Sequence, residues 1–149
     1  MKIVNKDIFE DYDSLDFLCI TTNSILNKQK HLVMGAGIAK QAATFDKDMS
    51  RFFGWFIDKS NLNGKFYGLI YYKKFIAFQT KLHWRDNSPI SIVESSIKML
   101  DIFARCNVDK KIGLPFPAIN NGGLKEEDVL PYLRTLPENV VIYKFKNGV

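Results

Sequence analysis

Cysteine and histidine are scarce, at two each in 149 residues. His31 and His83 with the distant Cys19 and Cys106 give no zinc spacing, so no metal site is expected. Two cysteines make no disulfide framework. Both fall in expected core elements, which reads as a pair of buried free thiols and a cytoplasmic location. Apolar runs are short. None approaches the ~20 residues of a membrane span, and Met1 to Asp7 lacks the apolar stretch of a secretory leader, so no membrane partner is expected. Internal repeats, linkers and low-complexity segments are missing, as are a G-x-S-x-G elbow and any Ser/His/Asp grouping. Residues 1–149 therefore read as a single domain.

What remains is an ordinary globular composition, 46% hydrophobic and 25% charged, with a net charge of +5. The positive balance favours an anionic partner. Its lysines are scattered (Lys28, Lys30, Lys40, Lys47, Lys59, Lys65) rather than gathered in an arm. A small phosphate-bearing ligand therefore stands level with nucleic acid.

β-rich runs at 2–5, 17–22, 67–72, 75–80, 111–116 and 140–145 predict six strands. The runs at 67–72 and 75–80 make a hairpin through Lys73-Lys74. Ile38, Ala42, Phe45, Met49, Phe52 and Phe56 recur at helical spacing and predict one long helix, weakened near its end by Gly54. Ser88-Pro89 opens another, with Ile90, Val93, Ile97, Leu100 and Ala104 inward, and a short helix is expected near 126–135. Strands alternating with helices, plus one hairpin, imply an α/β domain: a three-layer α/β/α sandwich around a mixed six-stranded sheet.

Two segments leave a strand, pass glycines and enter a helix: "VMGAGIAK" (33–40) and "LPFPAINNGGLKEEDV" (114–129). Unpaired amides at a helix start, with the dipole behind them, suit a phosphate, and glycine lets it come close. Alone, the first segment reads equally as a tight turn before a core helix. The dinucleotide fingerprint fails because Lys40 stands at its third glycine, and no Gly-Lys-Ser/Thr makes a P-loop. Together, two such loops can grip two sides of a diphosphate beyond the carboxyl ends of the strands.

"QTKLHWRDN" (79–87) sets a lysine directly after a strand, beside His83, Trp84 and Arg85. Its residues admit a solvated loop, a single-stranded nucleic-acid contact through His83, Trp84 and Arg85, or a catalytic amine.

"KDIF" (6–9), "MGAGIAKQ", "TKLHWR" and "LPFPAINNGGL", in that order, resemble the macrodomain family of ADP-ribose binders, over Asp7 to Tyr143. The resemblance is strongest to the branch carrying "MGxGIA". That branch includes terminal ADP-ribose glycohydrolase and antitoxin macrodomains that remove ADP-ribose from DNA. It implies ADP-ribose as ligand, with no further cofactor, and ADP-ribosylated DNA or protein as partner. By position, Asp7, followed by Ile8, faces the adenine amine, and Asn23 lies near the distal ribose. Gly35, Ala36, Gly37, Ile38 and Ala39 line one side of the diphosphate, and Ala118, Ile119, Asn120, Asn121, Gly122, Gly123 and Leu124 the other. Tyr143 or Phe145 stacks on adenine or packs in the core. Lys81 stands at the branch's catalytic lysine, which implies an ADP-ribosyl hydrolase working on a DNA base or an acidic side chain.

Four positions depart from the branch. Gly122 replaces an aspartate that pairs with the lysine in one member, Ala118 and Asn120 replace glycines, and Phe116 replaces a common arginine. A binder of ADP-ribose or a related nucleotide signal without turnover is thus the main alternative. A basic nucleic-acid-binding domain whose glycine loops are only turns is a third reading.

Overall fold

Consecutive burial of Leu18, Cys19 and Ile20 in "FLCITT" marks a strand covered on both faces. In the computed structural model, which describes residues 1–145, this strand lies inside a six-stranded sheet. The strands are β1 (Lys2–Val4), β2 (Phe17–Thr22), β3 (Leu69–Tyr72), β4 (Phe75–Gln79), β5 (Ile112–Pro115) and β6 (Val140–Tyr143). Their order is β1-β6-β5-β2-β4-β3. Only the β3–β4 hairpin is antiparallel, with Lys73 at φ 53° in its turn; the other pairs are parallel.

Alternation along the strands divides the core in two. Leu18, Ile20, Phe75, Ala77, Val141 and Tyr143 face α1 (Gly37–Ala43) and α2 (Met49–Lys59). Cys19, Ile76, Phe78, Val140 and Ile142 face α3 (Ile90–Arg105) and α4 (Glu126–Leu133). On α3, Val93, Ile97, Leu100 and Ala104 are buried as their spacing predicts, while Ile90 packs at the margin. Each large side chain so buried contributes roughly 1.5–3 kcal/mol. The three-layer α/β/α sandwich is as expected.

The single long helix is not. It divides into α1 and α2 across 44–48. Asp46 explains the break: one carboxylate oxygen accepts the amide of Asp48 at 2.8 Å, and the other accepts Tyr72 Oη at 2.9 Å and Lys73 Nζ at 2.8 Å. Phe45, freed from the helix, stacks on Phe9 and Tyr12. Gly54 is no weak point either. It sits mid-helix in α2, where a Cβ would lie 2.1 Å from the carbonyl oxygen of Lys30, so the helix and that loop touch backbone to backbone. The cysteines also separate: Cys19 is buried, whereas Cys106, just past the end of α3, is exposed. No helix among the described residues is long and apolar enough to cross a membrane.

Candidate functional site

Parallel strands bring their carboxyl ends to one edge of the sheet, where the chain must leave for a helix. At that edge β2 ends in Thr21 and Thr22 and passes to Asn23; β4 passes to Thr80 and Lys81; β5 ends at Pro115, before Phe116; β6 ends at Tyr143, before Lys144. All of these line one cavity of about 1060 Å³, floored by the strand ends and flanked by the two glycine segments. That volume suits a nucleotide-sized ligand.

The first glycine loop enters α1 without a side-chain cap, since Ala36 holds the N-cap position in extended backbone, so its amides stay free. Gly37 has φ +56°, whereas a Cβ on Gly35 would meet nothing within 4 Å. Gly35 through Ala39 all line the cavity.

The second loop supplies Ala118, Ile119, Asn120, Asn121 and Gly122. Gly123 and Leu124, expected there, do not line it. Gly123 turns at φ +73° against Asn87, and Leu124 packs into the α3–α4 side of the core while its amide closes the loop on the carbonyl of Ala118. Apart from Gly123, the left-handed residue of this loop is Ala118, at φ 67°. Gly122 answers the missing aspartate. A Cβ there would lie 2.5 Å from both the carbonyl oxygen of Ala118 and Ser88 Oγ, so this loop has no room for a carboxylate at that position.

Lys81 is 8% exposed, and its Nζ donates to the carbonyl oxygen of Asn121 at 2.9 Å. Burial holds its pKa below the usual lysine value, opposed by the negative charge of Asp86. Among the described residues no carboxylate comes within ion-pair distance of that ammonium. Asn23, also buried, donates from Nδ2 to the carbonyl of Val33 and accepts the amide of Ile25. Both bonds fasten the approach to the first glycine loop. Behind it, Tyr67 Oη donates to the carbonyl of Asn23 at 2.6 Å and pairs with Thr22 Oγ1, tying off the end of β2.

At the other end of the cavity, Asp7 caps the 3-10 turn Ile8–Asp11 by accepting the amide of Phe9 at 3.0 Å, and Ile8 packs in the core. Tyr143 lines the cavity but is a core tyrosine. Its hydroxyl donates to Asp11 at 2.6 Å, and burial pushes its pKa upward. Phe145, 44% exposed on the same wall, is the freer aromatic. Sequence reasoning missed the Lys144–Glu126 pair (2.8 Å) on this wall, and Gln41 beside the first loop. Only their proximity to recognised segments could have signalled them.

The "LHWR" turn sits at the mouth. Trp84 lines the cavity at 52% exposure, the Arg85 guanidinium lies 5.5 Å from its ring centroid, and His83 braces Arg85 through its ring nitrogens. No cluster of three metal-ligating side chains occurs among the described residues.

The macrodomain of Thermus aquaticus DarG superposes on this chain with a TM-score of 0.76, at 23% identity over 97% of both chains. This is a macrodomain fold. The macrodomain of Mycobacterium tuberculosis DarG gives 0.72 at 24% identity over 95% of each chain. Thermosipho africanus DarTG, solved in complex with ADP-ribose, gives 0.75 at 24% identity; the match covers 95% of this chain and 40% of that longer protein. No protein-family model and no curated sequence matches the chain. The macrodomain likeness is thus one of structure, carried in the sequence by short motifs at the cavity.

Proposed function

We propose that this macrodomain binds ADP-ribose in the cavity between its glycine loops and hydrolyses the linkage joining ADP-ribose to a modified macromolecule, with Lys81 as the catalytic amine. The observation that carries the reading is Lys81 itself: a cation buried in the wall of a nucleotide-sized cavity, answered by one carbonyl oxygen and no described carboxylate. The diphosphate lies between the free amides of Gly35 to Ile38 and those of Ile119 to Gly122, and Asp7 keeps one carboxylate oxygen for the adenine amine. Asn23 orients the distal ribose, and Phe145 supplies the adenine stack. Thermosipho africanus DarTG with ADP-ribose supports the choice of ligand.

Hydrolysis breaks the bond from C1″ of the distal ribose to the modified atom, places the water oxygen on C1″ and returns a proton to the leaving atom. A lysine whose pKa is lowered by burial has more neutral amine with which to engage C1″. The modified group is a DNA base or an acidic side chain. Trp84 with Arg85 at the mouth favours the base, because an aromatic face beside a guanidinium suits stacking and a phosphate.

One observation favours a second reading, a binder without turnover: Gly122 has no room for the carboxylate that pairs with the lysine in one related hydrolase. Release of free ADP-ribose from ADP-ribosylated single-stranded DNA and from glutamate-ADP-ribosylated protein, by wild type and by Lys81→Ala, decides between them. Release by wild type alone from either substrate is expected. No release from both, with ADP-ribose still raising the melting temperature, would select the binder.

A further inference from the structure

Lys81 reaches the second glycine loop, and that loop reaches the first. Its Nζ donates to the carbonyl oxygen of Asn121 at 2.9 Å. The side chain of the same Asn121 crosses the cleft: Nδ2 lies 3.0 Å from the point where Gly37 would carry a Cβ. The base of the second loop has its own anchors, Leu124 N–H on the Ala118 carbonyl at 2.9 Å and Ser88 N–H on the Gly122 carbonyl at 2.8 Å. The tip between them holds the lysine bond, and it springs from Ala118 in left-handed backbone. A strained conformation of this kind persists only where its surroundings hold it.

We infer that Lys81 is also the positioning residue for the second glycine loop, its ammonium holding the Asn121 carbonyl and so setting the width of the cleft between the loops. What fills the cleft rests on the ADP-ribose reading; the pin belongs to the free protein. A charged donor makes the stronger kind of hydrogen bond. Two further N–H groups of the ammonium remain for the cavity. Removing Lys81 therefore costs affinity as well as turnover, which a purely chemical role would not.

Hydrogen exchange in the ligand-free protein, followed by ADP-ribose titration, tests this in wild type, Lys81→Ala and Lys81→Arg. In Lys81→Ala, exchange at the amides of Ser88 and Leu124, which are bonded to the loop carbonyls of Gly122 and Ala118, should quicken about tenfold while the β2 and β4 amides stay slow, and ADP-ribose should bind about fivefold or more weakly. Lys81→Arg keeps a cationic donor, so it should restore slow exchange and most of the affinity while releasing no ADP-ribose. Loop exchange in Lys81→Ala indistinguishable from wild type would overturn the inference. Faster loop exchange in a protein that never binds ADP-ribose would uphold the pin and remove the ligand reading instead.

Discussion

Replacing Gly122 by alanine sets a methyl group 2.5 Å from the carbonyl oxygen of Ala118 and from Ser88 Oγ, and 2.7 Å from the Ala118 Cα. Two of those atoms are backbone, so rotating a side chain cannot relieve the overlap. Overpacking of this kind costs roughly 1–3 kcal/mol. Moving the loop away also strains the 2.8 Å bond from the Ser88 amide to the Gly122 carbonyl, worth about 1 kcal/mol. The sum, about 2–4 kcal/mol, should lower the melting temperature by roughly 5–15 °C in a domain of this size. Gly35→Ala is the matched control. A Cβ there meets nothing within 4 Å, and Gly35 is not among the glycines with positive φ. Its stability should stay within about 0.5 kcal/mol of wild type, while ADP-ribose affinity falls at least about tenfold because the methyl holds the diphosphate off the amides. Differential scanning calorimetry and isothermal titration of the two variants separate the roles. Wild-type melting of Gly122→Ala would refute the packing of the second loop, and unchanged affinity in Gly35→Ala would refute a phosphate lying against the first.

Other outcomes follow from single contacts. Ala118→Gly should be neutral to within about 1 kcal/mol by urea unfolding, because relief of left-handed backbone is offset by the lost methyl and by glycine's freedom in the unfolded chain; Ala118→Val should destabilise by about 2 kcal/mol or more. Iodoacetamide on the native protein should label Cys106 and spare Cys19, whose thiol burial pushes upward in pKa; both should react in denaturant, as mass spectrometry will count. The Lys73 ammonium, the Asp48 amide and the Tyr72 hydroxyl hold Asp46 at about 2, below its ordinary 3.8. A depressed carboxylate stabilises above its unfolded value, so the advantage of wild type over Asp46→Asn should be whole above pH 3.8 and vanish as pH falls toward about 2, read from acid unfolding curves. If Lys81 acts as the neutral amine, ADP-ribose release should rise with pH along a limb whose midpoint lies below the ordinary lysine value of 10.5.

The layers were legible because their signals are local. Successive apolar residues at Leu18, Cys19 and Ile20 within a short β-rich run read as a strand covered on both sides, and Val93, Ile97, Leu100 and Ala104 share one helical face. What escaped was decided across the chain. Apolar spacing ran on from Ile38 to Phe56, but Asp46 ends α1 and starts α2 through bonds to Tyr72 and Lys73 in the distant hairpin. Helix propensity marks Gly54 as a weak point, whereas its use is contact with the backbone of Lys30. Nothing in the residue types marks Ala118 as left-handed, yet the loop closed by Leu124 holds it there and carries Gly123 and Leu124 out of the cavity. Lys81 could be ranked by its motif, but its burial and its hold on Asn121 are written in no short stretch.

An amide-resolved NMR titration with ADP-ribose tests the central claim most directly. Saturable shifts at Gly35 to Ile38, at Ile119 to Gly122 and at the Asp7 end are predicted, with AMP shifting the Asp7 end and leaving Asn23 and Lys81 largely unmoved. Absence of shifts in both glycine loops at millimolar ADP-ribose, or shifts confined to another face, would contradict it.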